Sequence, residues 1–222
     1  MPKLARLFGL SVVIVLIVVL GVLTARTSTG SSTPRVQNRD AILHIDKGSA
    51  YVSQGRGAEA KKEYEMAIAI DATDPEPHFF LGSLLESEHN PEAALDEYLA
   101  ATKLDPGFFA AYNNAGGVLR ESENLKAAEE MFRIAVRLNP NSMESQYNLF
   151  EILESTNRSD EALPHLEKAY SLRSDSSDIA LSLSYQYHSR KRDKEAMKII
   201  DAALEIDSSN VPLRRLKQSM AL

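Results

Sequence analysis

Ala94–Pro106 reads ALDEYLAATKLDP and, thirty-four residues later, Ala128–Pro140 reads AEEMFRIAVRLNP. Only the opening Ala, Ala101/Ala135, Leu104/Leu138 and the closing Pro coincide. What repeats is a layout of small, large and boundary positions, and it extends in both directions. From Ala41 the chain divides every thirty-four residues, at 41, 75, 109, 143 and 177, with no insertion. Position 20 of each block is Ala60, Ala94, Ala128, Ala162 and Ala196; position 27 is Ala67, Ala101, Ala135, Ala169 and Ala203. Position 24 is large and apolar (Tyr64, Tyr98, Phe132, Leu166, Ile200), and position 30 is Ile70, Leu104, Leu138, Leu172 and Ile206.

Each block carries two helical patterns, over roughly positions 1–14 and 17–31. In the second, apolar residues at 20, 24, 27 and 30 share one helix face. Polar turns separate the pair, as at Gln54-Gly55-Arg56-Gly57 and His89-Asn90. Asn90 before Pro91 and Asp74 before Pro75 are caps with Pro at the first helical position, and Pro106 and Pro140 follow two of the second helices. Alanine recurs because two helices at close approach leave room for a methyl group; a Leu there would overpack the contact. The expected fold is all-α.

This pattern resembles the tetratricopeptide repeat (TPR) family. Its 34-residue period and its Leu-Gly, Tyr, Ala, Phe, Ala, Pro signature are matched by Leu81-Gly82, Ala94, Tyr98, Ala101 and Pro106. Block one supplies Gly48, Tyr51, Ala60, Tyr64 and Ala67, and block three Gly116, Ala128, Phe132, Ala135 and Pro140. The resemblance implies a right-handed α-solenoid of five repeats over 41–222. Departures are the lack of Trp at position 4, Phe150 at the small position 8 of block four, and Pro164 inside that block's second helix, which is expected to loosen or kink it and make block four the weakest repeat. Val211–Leu222, with Asn210 as cap and Pro212 near its start, reads as a C-terminal capping helix whose Arg214, Arg215, Lys217 and Gln218 face water.

The amino-terminal end differs in kind. Leu7–Ala25 reads LFGLSVVIVLIVVLGVLTA, nineteen residues without a charge. As a helix it would span about 28 Å, the thickness of a bilayer core. An uncleaved transmembrane anchor is expected; the alternative is a signal peptide cleaved near Ala25, although the apolar run exceeds a typical signal core and Leu23 stands where a small residue is preferred. Residues 1–6 form a short basic tail. Residues 26–40 read as a flexible linker with a reach of about 20 Å. Lys3 and Arg6 before the span and Arg26, Arg35 and Arg39 after it leave the orientation open. The reading adopted places the amino terminus inside and the repeat domain on the extracytoplasmic, periplasmic side, in a single-pass membrane protein.

Composition narrows the chemistry. Residues 1–39 hold five of the 25 bases and no acid, so the remaining 183 residues carry 20 bases against 31 acids, a formal −11. Such a body repels phosphate backbones, and no nucleic-acid partner is expected. With no Cys, disulfides, thiolate metal sites and lipoprotein attachment are excluded. His44, His78, His89, His165 and His188 show no i, i+4 pairing, and no P-loop, G-x-S-x-G or G-x-G-x-x-G occurs. Neither a catalytic, metal or cofactor site nor a small-molecule substrate is expected. Asn157-Arg158-Ser159 matches a glycosylation acceptor, a common tripeptide.

What remains is a surface. The resemblance implies that positions 2, 5, 9 and 12 of the first helices line a concave groove. The candidates there are Glu76, Phe79, Asn113, Arg120, Tyr147, Glu151, Tyr185 and His188. The aromatic rings suit an extended peptide or a partner helix, and Asn113 a peptide backbone. Glu76, Glu86, Glu144, Glu151, Glu154 and Asp178 favour a basic or amphipathic protein segment. Some family members grip a terminal carboxylate with a set of Lys, Asn and Arg; this groove has Arg120 and Asn113 but not the Lys set. The expected activity is that of a membrane-tethered adaptor or scaffold in an assembly, secretion or chaperone-like complex. Alternatives are a self-associating scaffold and a secreted form released near residue 25; no constellation supports an enzyme.

Overall fold

A computed structural model describes residues 38–220, and among these every regular element is an α-helix. The described chain divides after Leu138 into two compact units. The first comprises α1 (Arg39–Ser53), α2 (Gly57–Ile70), α3 (Pro75–Ser87), α4 (Pro91–Leu104), α5 (Phe109–Glu121) and α6 (Leu125–Leu138). The second comprises α7 (Met143–Ser155), α8 (Ser159–Leu172), α9 (Ser177–Ser189), α10 (Asp193–Ile206) and α11 (Val211–Met220). In the first unit, α1 pairs with α2, α3 with α4 and α5 with α6; α2 then packs on α3 and α4 on α5, while α1, α3 and α5 form a row. In the second, α7 pairs with α8, α9 with α10, α8 packs on α9, and α11 covers α9 and α10.

The sequence layout maps directly onto this packing. All ten repeat alanines are buried, nine of them at 0% exposure and Ala203 at 3%. The position-24 residues are buried too, from Tyr64 to Ile200. Position 30 departs from expectation: as the last residue of its helix it escapes the packed face, and Ile70, Leu104, Leu138 and Ile206 are all more than a third exposed.

The caps form as the residue types require. Asp74 accepts a hydrogen bond from Glu76 N (3.1 Å), Asn90 from Ala93 N (3.4 Å) and Asn210 from Leu213 N (3.1 Å). Each hairpin turns through one left-handed residue at position 15: Gly55, His89, Glu123, Asn157 and Lys191, with φ between 58° and 71°. The next backbone N–H bonds back to the carbonyl of position 11 at 2.9 Å in all five (Arg56 to Tyr51, Asn90 to Leu85, Asn124 to Leu119, Arg158 to Leu153, Arg192 to Tyr187), the Schellman closure of a helix.

Pro164 does not interrupt α8, which runs the same 14 residues as the other second helices. The ring removes one backbone donor but lies on the exposed face, where the freed carbonyl reaches water. The linker expected over 26–40 ends earlier, since α1 begins at Arg39 under an Asn38 cap that accepts from Asp40 N (3.0 Å). The start of the stack shows in α1. Position 7 is buried at Leu81, Ala115, Leu149 and Leu183 but is the exposed Lys47 in α1, where Leu43 is also half exposed. At the other end Leu213 and Leu216 of α11 close the core around Ala180, Ile200 and Ala203. Among the described residues no helix is long and apolar enough to cross a membrane; the span expected at Leu7–Ala25 lies outside them.

Candidate peptide-binding faces of the first helices

Position 8 decides how close the two helices of a hairpin come. A methyl on Gly82 would sit 2.8 Å from the Tyr98 ring and 3.2 Å from the Ala94 carbonyl, and one on Gly116 2.7 Å from the Phe132 ring. The ring therefore lies flat over a bare backbone, and the tip of a position-24 Tyr reaches the face of the first helices. Tyr98 Oη donates to Glu86 Oε2 (2.6 Å) and accepts from Asn114 Nδ2 (3.2 Å), joining three helices. Burial, then the Glu86 carboxylate, push this hydroxyl well above the ordinary tyrosine range. Tyr64 Oη lies 3.3 Å from Ser49 Oγ. Phe132 has no hydroxyl, and Arg120 packs over its ring at 6.0 Å.

In the first unit this face carries Glu76, Phe79, Asn113 and Arg120 of the expected set. Glu76 is exposed. Phe79 is half-buried in an aromatic cluster with Phe80, Tyr98 and Phe108, ring centroids 5.1–5.8 Å apart. Asn113 is only 4% exposed, so it belongs to the interior more than to an open groove. The positions between are small: Ser49 and Ser83 are exposed, and a methyl on Gly117 would meet nothing within 4 Å.

In the second unit the face carries Tyr147, Glu151, Tyr185 and His188. Tyr147 leans on Phe150 with centroids 5.6 Å apart, while Tyr185 stands free at 52% exposure. His188 Nδ1 lies 2.6 Å from Asp193 Oδ1. Beside this face Tyr187 donates to Glu167 Oε1 (2.9 Å) and is covered by the Arg192 guanidinium at 4.1 Å. Burial, then Glu167, push the Tyr187 hydroxyl up to about 12.

The histidines are not as scattered as their spacing suggests. His44 Nδ1 donates to Glu63 Oε2 and His78 Nδ1 to Glu97 Oε2, both at 2.6 Å, in each case from position 4 to position 23 of one hairpin. In α7 and α8 the same two positions are exchanged: His165 Nδ1 donates to Gln146 Oε1 (2.8 Å), and Gln146 Nε2 donates to Pro140 O (2.8 Å). The signal lay in the repeat register, not in the spacing within one helix. Among the described residues no three His, Cys, Asp or Glu side chains converge as a metal site.

Comparison with known proteins agrees with the architecture. No curated protein matches the chain. Solved structures do: the one titled as the functional characterisation of PilF from Pseudomonas aeruginosa is 22% identical, with a TM-score of 0.73 over 84% of this chain and 85% of that one. MamA from Desulfovibrio magneticus RS-1 is 19% identical, with a TM-score of 0.65 over 79% and 99%. YrrB, titled a TPR protein with an unusual peptide-binding site, is 21% identical, with a TM-score of 0.63 over 81% and 92%. At these identities the likeness is one of fold. Family models described as tetratricopeptide repeat match residues 41–74, 79–143 and 147–211, most of the chain. With its buried Ala pairs and five hairpins at a 34-residue period, the chain belongs to the tetratricopeptide repeat family.

Proposed function

We propose that this protein is a membrane-tethered adaptor that captures another protein through the faces of its first helices and holds it near the bilayer, within an assembly, secretion or chaperone-like complex. Repeats of this family typically act as protein-interaction scaffolds rather than enzymes, and YrrB carries a peptide-binding site by its title. The observation that carries the reading is Tyr185: a large aromatic side chain, 52% exposed, in the middle of a helix otherwise built for packing, seven residues after the exposed Asp178. Exposed aromatics with polar neighbours are the anchors of protein interfaces. The tether is Leu7–Ala25, whose nineteen uncharged residues match a bilayer core.

Crosslinking and pull-down from native membranes test both parts. The Tyr147→Ala/Tyr185→Ala double variant is expected to keep its helical circular dichroism and lose partner capture at least about tenfold, the scale of two interface hot spots. Undiminished capture rejects these faces. Intact mass of the extracted protein is expected to include residues 1–25, and their loss would make the segment a cleaved signal.

A further inference from the structure

We infer that one edge of the first unit, carrying Leu43, Met66, Ile70, Leu104 and Leu138, docks on the surface of a zwitterionic lipid bilayer; this rests on the proposed tether at Leu7–Ala25. Consecutive helices of this unit are joined by loops of three or four residues and pack side by side, so they alternate in direction. The first helices therefore start, and the second helices end, at one edge, and the hairpin turns form the other. Among the described residues of this unit six large hydrophobic side chains are exposed, and five of them gather at the first edge. Ile70, Leu104 and Leu138 are the last residues of α2, α4 and α6, and Leu43 and Met66 lie one turn in. Only Val52 stands toward the turns.

Two of the five are exposed because the stack opens at α1 and α2. Position 3 is buried as Pro77 in α3 and Ala111 in α5, and position 26 as Ile134 in α6, yet Leu43 is 50% and Met66 46% exposed. The last repeat is closed by α11, and the first has no such helix among the described residues. Where the apolar groups stand decides what covers them. Toward the turns the same open end presents Lys47, Ala50, Gln54 and Lys62, all exposed. A second copy stacked across the whole end would bury both lysines, which is costly. A bilayer met edge-on takes the five apolar side chains and leaves those lysines in water. The tether selects the same edge. The chain preceding Asn38 joins it there, and residues 26–38 reach about 20 Å as a flexible coil, no more than the length of one 14-residue helix. That holds the edge bearing Arg39 near the bilayer and the turns one helix length away. Both signs of charge border the apolar row, with Arg39, Lys103 and Arg137 exposed beside Asp40 and Glu76, which suits zwitterionic headgroups. Asp71 and Asp105 accept hydrogen bonds within their own loops, from Thr73 and from Gly107 N.

The chain has no Trp, so Leu43→Trp, Ile70→Trp or Val52→Trp, each at an exposed position, supplies a single fluorescent probe. The full chain is reconstituted in phosphatidylcholine vesicles with or without brominated acyl chains. Bromination is expected to quench Leu43→Trp and Ile70→Trp at least about twofold and Val52→Trp little, because docked side chains enter the boundary of headgroups and acyl chains. Adding Met66→Glu and Leu104→Glu, both at exposed positions, should abolish the quenching of Leu43→Trp and leave the melting curve unchanged. No quenching at positions 43 and 70, or equal quenching at 52, overturns the inference. So does a Leu43→Trp signal shielded from aqueous acrylamide as well as from bromine, which marks a second copy over the open end. If the chain sediments with the vesicles and Leu43→Trp is not quenched, the docking fails and the tether stands; a chain recovered in the aqueous phase overturns both.

Discussion

In the first unit position 8 is glycine and position 24 aromatic in every repeat; in the second, position 8 is Phe150 or Ser184 and position 24 is Leu166 or Ile200. All of these residues are buried, and the second helix of every hairpin has 14 residues. Where position 24 is a flat ring, position 8 has no side chain, and where position 24 is aliphatic, position 8 carries one. A flat ring needs a bare backbone beneath it, whereas an aliphatic group at position 24 leaves space that position 8 fills. The exchange has a second consequence. A tyrosine at position 24 carries a hydroxyl to the first-helix face, as Tyr98 does for Glu86, and an aliphatic residue does not. So a change in the core alters which acidic groups of that face receive a hydrogen bond from the second helix.

The largest effect should come from forcing one solution onto the other unit. Gly116→Ala drives a methyl into the Phe132 ring, and a loss of about 1–3 kcal/mol is expected in denaturant unfolding. Adding Phe132→Leu, which puts the aliphatic residue of the second unit at position 24, should recover a good part of it. If the double variant loses as much as the two single changes summed, the two positions are not coupled and the comparison fails.

A smaller effect isolates the hydroxyl. Tyr98→Phe keeps the ring but leaves Glu86 and Asn114 without their shared partner, at about 1–2 kcal/mol. It should also change the pH profile. Because the folded-state pKa of Tyr98 is raised above an unfolded value of about 10, its contribution is complete below that pH and is lost as pH climbs toward the folded value. Melting temperature should thus fall less steeply above pH about 10 in Tyr98→Phe than in the wild type. Parallel profiles would show that the hydroxyl is not held protonated by the fold.

The smallest effect concerns the turns, where the units are alike. Only the first hairpin has glycine at the left-handed position 15. Glu123→Gly is expected to stabilise by up to about 1 kcal/mol, relieving the Cβ crowding of that conformation, and the same change at Lys191 should match it. A loss of stability in the denaturant midpoint would mean that the Glu123 side chain does more than occupy the turn.

Much of this was legible in the chain, and the reasons are local. Helix starts at 75, 109, 143 and 177, caps such as Asn90-Pro91, and the buried alanines follow from short-range propensity repeated at one period. Repetition turns weak signals at single positions into a strong one. What was missed depends on side chains that meet across a hairpin. His44 and Glu63 are nineteen residues apart, and their pairing shows only when the repeats are laid in register. Asn113 has a groove position by its number but is covered by its neighbours, while position 30, apolar throughout, ends up partly in water.

The sequence by itself determined the all-helical repeat, its period, its small and large positions and the acidic character of the surface. Each of these depends on residue type and spacing along one chain segment, where hydrogen bonding and steric fit act over a few residues. Only the tertiary structure decided which polar groups are satisfied: Glu86 accepts from Tyr98, whereas Glu154 Oε1 has no hydrogen-bond partner among the described residues. That outcome depends on whether the residue twelve positions further along presents a hydroxyl or a methyl group across the helix contact, and side-chain direction across a contact becomes visible only once the helices are packed.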